Sequence, residues 1–242
     1  MNTLDVILLI GQSNMAGRGR LTEVPAISNP HIFTFKQDAW ISAEEPLHSD
    51  KPAIAGIGLA MSFADNLILH SASENIGLVP CAFGGTSLDE WMPGRTLYTT
   101  CVEAVKSCMN ENKKVHSSAN ALQKKLSCIL WHQGENDSIN SKDAESYSVR
   151  LQTMLTALRE TLVCPEVPVI AGELGSFLQF HDQCRFYQTV NAQLCDAAKN
   201  VPNMTVVSSE GLEDNGDHIH FNARSLREFG KRYAEKYFDG LK

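Results

Sequence analysis

Short apolar runs alternate with longer helical patterns along almost the whole chain, and this alternation constrains the fold more than any other feature. Consecutive parallel strands need a crossover, usually a helix, and strands that are covered on both faces are apolar throughout. The pattern therefore predicts an α/β fold with a parallel sheet of about five strands. The expected strands cover residues 4–10, 76–82, 127–132, 167–171 and 204–208, and residues 31–35 are a candidate for a short additional strand.

The expected helices lie between these strands and have amphipathic spacing. In one of them Tyr147, Leu151, Met154 and Leu158 recur at intervals of three and four residues, which is typical of a half-buried helix. No internal repeat or linker interrupts the pattern, so we expect residues 1–242 to form a single domain. The helical patterns cover residues 58–70, 96–110, 142–162, 183–199 and 222–238.

Composition excludes several classes of partner. The formal net charge of -7 argues against binding nucleic acid, which needs a clustered basic excess. No apolar run approaches the roughly 20 residues of a membrane span. The seven cysteines lack metal-ligand spacing and are expected to be buried apolar residues in a reducing compartment. The run from Val6 to Ile10 is shorter than the apolar region of a signal peptide, which favours a cytoplasmic protein.

The first candidate functional loop is Gly11-Gln12-Ser13-Asn14-Met15, directly after the first expected strand. A serine in this position lies at the carboxyl edge of the sheet, where open α/β sheets bind ligands. A serine that only caps the next helix would give the same pattern. The proline-rich segment 18–57 follows and has little periodicity. Because so long a loop in a compact domain is usually functional, we expect it to form one wall of a cleft.

Two further loops follow expected strands. Gly84 and Gly85 follow the strand at 76–82, and paired glycines let a backbone N–H approach a ligand closely, although a tight turn looks the same. In the loop at 132–137, Gln133 could donate its amide to an oxyanion and Glu135 could orient its neighbours or act as an acid. A solvated loop is the alternative interpretation.

Near the carboxyl terminus, Asp217 and His220 are separated by two residues, so both side chains can turn inward from one loop. A carboxylate beside a histidine, together with a serine, is the set of groups that an acyl-enzyme hydrolase uses. His218 is the competing imidazole. Zinc binding by Asp217, His218 and His220 is a weaker alternative, because no clear fourth ligand is present.

These four loops, in this order, resemble those of the SGNH hydrolase superfamily, and in particular its carbohydrate esterase family six and sialate O-acetylesterase-like branch. The resemblance runs from near residue 4 to near residue 238. It implies a three-layer α/β/α sandwich similar to flavodoxin, and it implies no cofactor or metal. The strings that carry it are Gly11-Gln12-Ser13-Asn14-Met15, Gly84-Gly85-Thr86-Ser87 with Trp91, His132-Gln133-Gly134-Glu135, and Asp217-x-x-His220-Phe221.

The resemblance also implies roles for individual residues. Ser13 would be the nucleophile, His220 the general base and then acid, and Asp217 the carboxylate that orients His220. The oxyanion hole would consist of the backbone N–H groups of Ser13 and Gly85 and the side-chain amide of Gln133. In the wider superfamily an asparagine in a Gly-x-Asn-Asp string supplies the third donor, and we expect Gln133 to replace it here.

Three other residues receive less definite roles. Glu135 would brace the oxyanion loop or serve as the alternative acid. Asn14 and Trp91 are candidates for the substrate wall, because a planar ring suits the apolar face of a sugar. Trp40, in the 18–57 segment, is a further candidate for stacking, although core packing would explain either tryptophan equally well.

The sequence therefore predicts a serine esterase that removes acetyl or other short acyl groups from a small carbohydrate or oligosaccharide, such as acetylated xylan. Two other classes remain open. A catalytically silent carbohydrate-binding protein could use the same fold. A phosphate or nucleotide binder could use residues 11–19 at a helix N-terminus, but the chain lacks the lysine of a P-loop and a complete GxGxxG string.

Overall fold

The structure is a computed structural model that describes residues 3–110 and 122–240. It has a seven-stranded sheet with the strand order β3-β2-β4-β1-β5-β6-β7. All neighbouring strands are parallel except β2 and β3, which form an antiparallel hairpin at one edge. The strands are β1 (Thr3–Gly11), β2 (Ile32–Lys36), β3 (Ala39–Ser42), β4 (Ile76–Pro80), β5 (Gln123–His132), β6 (Val169–Gly172) and β7 (Met204–Val207).

Helices cover both faces of the sheet, so the predicted three-layer α/β/α class is confirmed. α2 packs against α7 on one side, and α5 packs against α3 and α6 on the other. None of the helices in the described ranges is both long and apolar enough to cross a membrane. The helices are α1 (Ser13–Ala16), α2 (Ala60–Leu69), α3 (Thr96–Met109), α4 (Ser141–Glu145), α5 (Tyr147–Thr161), α6 (Tyr187–Asn200) and α7 (Ala223–Asp239).

The expected number of about five strands was too low, because β2 and β3 add an edge hairpin. Its turn places Gln37 and Asp38 at positive φ. Two-residue hairpin turns of this kind normally contain Asn-Gly or Asp-Gly, so Gln-Asp gives little sequence signal. Phe35 and Trp40 pack against each other across the hairpin, with ring centroids 5.3 Å apart.

The helix predicted at 142–162 is interrupted at Ser146 and forms α4 and α5 instead. The Ser146 hydroxyl donates to the carbonyl of Lys142 at 2.8 Å. A serine side chain that bonds to the preceding turn in this way competes with the regular helix and often bends it.

The centre of the sheet brings three loops together. β1 lies between β4 and β5, and the residues that follow these three strands are joined by backbone hydrogen bonds. The N–H of Gln12 donates to the carbonyl of His132 at 2.9 Å, and the N–H of Phe83 donates to the carbonyl of Gly11 at 2.9 Å. A side chain at Gly11 would lie only 2.1 Å from the oxygen of His132, so only glycine allows this approach.

Candidate active site

Ser13 is the first residue of α1, immediately beyond the tight contact between β1 and β5. Its hydroxyl oxygen lies 3.0 Å from Nε2 of His220. Its backbone N–H is at the start of a helix and therefore has no acceptor within that helix. The serine thus presents a hydroxyl next to an imidazole at the carboxyl edge of the sheet, together with an N–H that has no acceptor among the described residues.

Asp217 holds the opposite side of the His220 ring. One carboxylate oxygen lies 2.7 Å from Nδ1, and the other accepts the backbone N–H groups of Ile219 and His220 at 3.0 and 2.8 Å. Burial alone would raise the pKa of Asp217, but these hydrogen bonds outweigh it and hold that pKa below its ordinary value. A charged Asp217 keeps the proton of a neutral His220 ring on Nδ1, which leaves Nε2 free to accept a proton from Ser13.

His218 faces away from this arrangement. Its backbone has a positive φ of 57°, and both its N–H and its ring Nδ1 point to Asp214, at 2.7 and 3.3 Å. The exposed ring of Phe180 lies against it, with centroids 5.7 Å apart. The two imidazoles of this loop therefore have separate partners.

Asn14 lies behind the serine and does not form a substrate wall, so that expectation was wrong. It is buried, and its amide donates to Glu135 at 2.5 Å and to the carbonyl of Ile219 at 3.0 Å. Its oxygen accepts the N–H of Phe221 at 3.0 Å. Asn14 consequently ties the turn of Ser13 to the residues on both sides of His220.

Glu135 is fully buried and contacts Asn14 and His132, whose Nε2 lies 3.5 Å away, while no hydrogen bond joins it to His220. Burial would raise its pKa, but the adjacent imidazole of His132 and the hydrogen bond from Asn14 outweigh this and keep the pKa below its ordinary value. The structure therefore places a carboxylate beneath the site, where it supports Asn14, and places Asp217 against the imidazole.

The Gly84-Gly85 turn lies beside Ser13. A Cβ atom on Gly84 would be 3.4 Å from the Cβ of Ser13. Gly85 has a positive φ of 83°, which glycine adopts without strain, and its N–H meets no acceptor among the residues that the structure describes. Two free backbone N–H groups, those of Ser13 and Gly85, thus lie on neighbouring turns.

The structure argues against Gln133 as an oxyanion donor. Its amide nitrogen donates to the carbonyl of Thr86 at 2.9 Å and to Asp137 at 2.6 Å, which uses both of its hydrogens. Its oxygen accepts from the hydroxyl of Tyr147 at 3.1 Å. Gln133 is buried and fully satisfied, so it braces the loop from below.

Asn136, on the same loop as Gln133, lies against the Gly85 turn. Its side-chain amide donates one hydrogen to the carbonyl of Gly85 at 2.8 Å, and the residue is only partly buried. The second hydrogen of that amide is not used in any contact within the described part of the chain. The signal was present in the sequence, because residues 134–137 read Gly-Glu-Asn-Asp, the superfamily's own Gly-x-Asn-Asp string.

Residues 3–239 match the family described as carbohydrate esterases, sialic acid-specific acetylesterases. The chain belongs to this family. A probable carbohydrate esterase of Arabidopsis thaliana is 31% identical over 255 residues, which cover 98% of this chain and 91% of the relative. The expected resemblance is confirmed, and the protein is a carboxylic ester hydrolase of the carbohydrate esterase type.

Solved structures support the same fold for this esterase. The X-ray structure of the Arabidopsis thaliana protein has a TM-score of 0.84 at 28% identity and covers 97% of this chain and 98% of its own. NanS has a TM-score of 0.78 at 17% identity, with 98% and 97% covered. An acetylxylan esterase of Geobacillus stearothermophilus, Axe2, has a TM-score of 0.56 at 13% identity, with 98% and 96% covered.

Neither candidate tryptophan reaches the cleft of the esterase. Trp91 is 1% exposed, donates to the hydroxyl of Thr86 at 3.0 Å and packs edge-on against Trp131. Trp40 is also 1% exposed and donates to the carbonyl of Cys108 at 3.3 Å. Both rings therefore belong to the core, and the expectation of a tryptophan wall was wrong.

The cleft wall comes from the 18–57 segment instead. A cleft of about 620 Å³ extends from His220 and Asp217 along this segment. Leu21 and Ile54 are half-exposed at its rim. The remaining lining residues are Arg18, Gly19, Arg20, Ala55, Asn215 and Gly216.

Arg18 and Asp50 are functional candidates that the sequence analysis missed. Their side chains form an ion pair at 2.5 Å, almost completely buried beside the Gly84 turn. Burial alone would raise the pKa of Asp50, but the Arg18 guanidinium and the N–H of Gly84 outweigh it and hold that pKa below its ordinary value. Their separation by 32 positions left no local signal.

Proposed function

We propose that this carbohydrate esterase hydrolyses acetyl esters of sugars through an acyl-enzyme on Ser13. The observation that carries the proposal is the continuous relay from Ser13 Oγ to His220 Nε2 at 3.0 Å and from His220 Nδ1 to Asp217 at 2.7 Å. These are the contacts that a nucleophile, a base and an orienting acid require.

In the first half of the reaction, His220 Nε2 takes the proton of Ser13 as the oxygen attacks the acetyl carbonyl carbon. The resulting imidazolium is stabilised by the charged carboxylate of Asp217. It then gives its proton to the sugar oxygen as the C–O bond of the ester breaks. In the second half, water attacks the acetyl-serine with the same base, and acetate leaves while Ser13 regains its proton.

The negative charge that develops on the carbonyl oxygen needs preorganised donors. We assign this role to the backbone N–H groups of Ser13 and Gly85 and to the free amide hydrogen of Asn136. Asn136 is held by its other hydrogen on the carbonyl of Gly85, so little ordering remains to be done in the reaction. Loss of one such donor typically lowers kcat about 10²–10³-fold.

The acyl group is expected to be short. The half-exposed Leu21 and Ile54 give the cleft only a small apolar rim, which offers little surface for a long acyl chain. The alcohol part is expected to be a sugar, as the family implies. Family and structural relatives act on different carbohydrates, so a sialic acid ester and a xylan ester are the two substrates to compare.

The test is acetate release by the wild type and by Ser13→Ala. Substrates would be p-nitrophenyl acetate, butyrate and octanoate, O-acetylated sialic acid and acetylated xylo-oligosaccharides. We expect turnover to fall steeply from acetate to butyrate, and Ser13→Ala to abolish it for every substrate. Sugar binding without Ser13-dependent turnover would indicate a silent carbohydrate-binding protein, and a preference for octanoate would indicate a lipase or thioesterase.

A further inference from the structure

A buried ion pair joins the two turns that carry the backbone oxyanion donors. The Arg18 guanidinium donates to the carbonyl of Gly17, the residue directly after α1, at 2.9 Å, and to Asp50 at 2.5 Å. The same oxygen of Asp50 accepts the N–H of Gly84 at 2.8 Å. The chain of contacts therefore runs from the helix of Ser13 to the residue before Gly85.

The surroundings leave this link little freedom. The side chains of Arg18 and Asp50 are 3% and 2% exposed. A Cβ atom on Gly84 would lie 2.6 Å from the guanidinium and 3.0 Å from the carboxylate. The ion pair thus packs directly against the glycine backbone, and a shift of either charged group would move the turn.

We propose that Arg18 and Asp50 are positioning residues that set the distance between the Ser13 N–H and the Gly85 N–H in the oxyanion hole. Within the described residues no hydrogen bond or ion pair joins the side chains of Arg18 and Asp50 to Ser13 or His220, so the pair acts through the Gly84-Gly85 turn. This inference rests on the proposed function. Because a misplacement of about 1 Å at a reacting centre can cost 10²-fold in rate, a small shift of this turn is enough to matter.

The chain offers a matched control in the same segment. Arg227 and Glu45 form a second largely buried ion pair, with side chains 12% and 5% exposed. Glu45 accepts from Arg227 at 2.9 Å and from the N–H of Gly58 at 3.0 Å, so it is also an arginine-bound carboxylate on a glycine N–H. The Gly84 N–H is held by Asp50 and not by Glu45, so a variant that loses the Glu45 pair loosens the segment but keeps the contact between Asp50 and the Gly84-Gly85 turn.

The experiment compares Asp50→Ala, Glu45→Ala and the double variant Arg18→Met/Asp50→Ala, which leaves no lone buried charge. For each we would measure kcat and KM for p-nitrophenyl acetate, the midpoint of urea unfolding, and inhibition by a small boronic acid. Such an acid adds to a reactive serine and forms a tetrahedral, negatively charged adduct that resembles the transition state.

We expect Asp50→Ala to lower kcat about 10²-fold, to weaken boronic acid inhibition by a similar factor, and to leave KM within about 3-fold. The double variant should show the same loss of kcat, because it also lacks the contact between Asp50 and Gly84. Its unfolding midpoint should be higher than that of Asp50→Ala, because no unpaired charge remains buried. Glu45→Ala should lose stability to a similar degree yet keep kcat within about 3-fold of the wild type.

Four results would overturn the inference. A rise in KM at unchanged kcat would make Arg18 a substrate contact. An equal loss of kcat in Glu45→Ala would make the effect a general consequence of loosening the segment. Unchanged kcat in a folded Asp50→Ala enzyme would reject the positioning role of Arg18 and Asp50. If activity still depended on Ser13, the proposed function would stand. Activity that survives Ser13→Ala would reject the proposed function, and with it the positioning role of Arg18 and Asp50.

Discussion

Asp217 lies 2.7 Å from Nδ1 of His220 and also accepts the backbone N–H of the same residue. One short loop thus fixes both the acid and the imidazole. Glu135, the other candidate acid, is bound to Asn14 and lies beneath the serine turn. The geometry therefore separates two carboxylates that the sequence alone could not rank with certainty.

Asp217→Asn is expected to lower kcat on the order of 10⁴-fold with little change in KM, because the amide stabilises the wrong imidazole tautomer. Glu135→Gln should cost less, on the order of 10–10²-fold, since it acts only through Asn14 and His132. Both would be measured at one pH near 8 on folded protein. A larger loss in Glu135→Gln would make Glu135 the functional acid and Asp217 a loop brace.

Ser13→Ala should lower kcat for acetyl esters by about 10⁴-fold or more, because no other group can form the acyl-enzyme. The fold should persist, since within the described residues the one side-chain hydrogen bond of this hydroxyl is with His220. Steady-state kinetics and a circular dichroism spectrum check both statements. Near-wild-type turnover by the folded variant would rule out Ser13 as the nucleophile.

His220→Ala should be about as damaging as Ser13→Ala, and the double variant hardly worse than either, because the two groups act as a unit. His218→Ala is the matched control from the same loop. Its ring contacts Asp214 and Phe180, so its loss should be mild. The reverse order of kcat values would show that the wrong imidazole had been assigned.

Asn136→Ala should lower kcat about 10²–10³-fold while leaving the unfolding midpoint nearly unchanged, as expected for loss of one oxyanion donor from a partly exposed side chain. Gln133→Ala should act mainly on stability, because it leaves Asp137 and the carbonyl of Thr86 without their buried donor. Kinetics and urea unfolding of both variants distinguish the roles. Harmless loss of the Asn136 amide would return the donor role to Gln133.

His48 should make the protein less stable as the pH falls from 7 to 5. Burial lowers the pKa of His48 from its ordinary 6.5 to about 4, with the nearby Asp50 opposing the shift and Arg18 adding to it. Between these two pKa values the unfolded chain binds the proton and the folded chain does not. Stability is therefore lost as pH falls through this window, by about 2 kcal/mol between pH 7 and 5.

The check for this prediction is urea unfolding of the wild type and His48→Gln at pH 7 and pH 5. The wild type should lose about 2 kcal/mol more than the variant over this interval, because titration of the other groups is common to both. An equal pH dependence of stability in the two proteins would mean that the pKa of His48 does not differ between the folded and the unfolded chain.

Much of the fold followed from the sequence because its signals are local. All five predicted strands are present, since a short apolar run that is covered on both faces has few other ways to bury itself. The edge hairpin of β2 and β3 was only partly predicted, because the turn at Gln37 and Asp38 lacks the usual glycine. The break at Ser146 was missed because the amphipathic stripe continues through it.

The candidate site divides in the same way. Strands that end at one edge of a parallel sheet must bring their loops together, so the meeting of Ser13, His220 and the glycine turn was foreseeable. The sequence could not show which side chains keep an unused hydrogen-bond donor. Gln133 and Asn136 lie on one loop, and only the buried partners of Gln133 show that its amide is already used.

The sequence by itself determined the α/β class, the order of the four candidate loops and the choice of Ser13 and His220 as the proposed nucleophile and base, because each depends on short-range spacing. Tertiary structure decided which carboxylate faces His220, that Trp91 and Asn14 are core residues, and that Arg18 meets Asp50 beside Gly84. These outcomes depend on contacts between residues far apart in the chain. The hydrogen-bond partners of these residues are fixed only in the packed protein, where water is excluded and each buried polar group needs a partner from the protein itself.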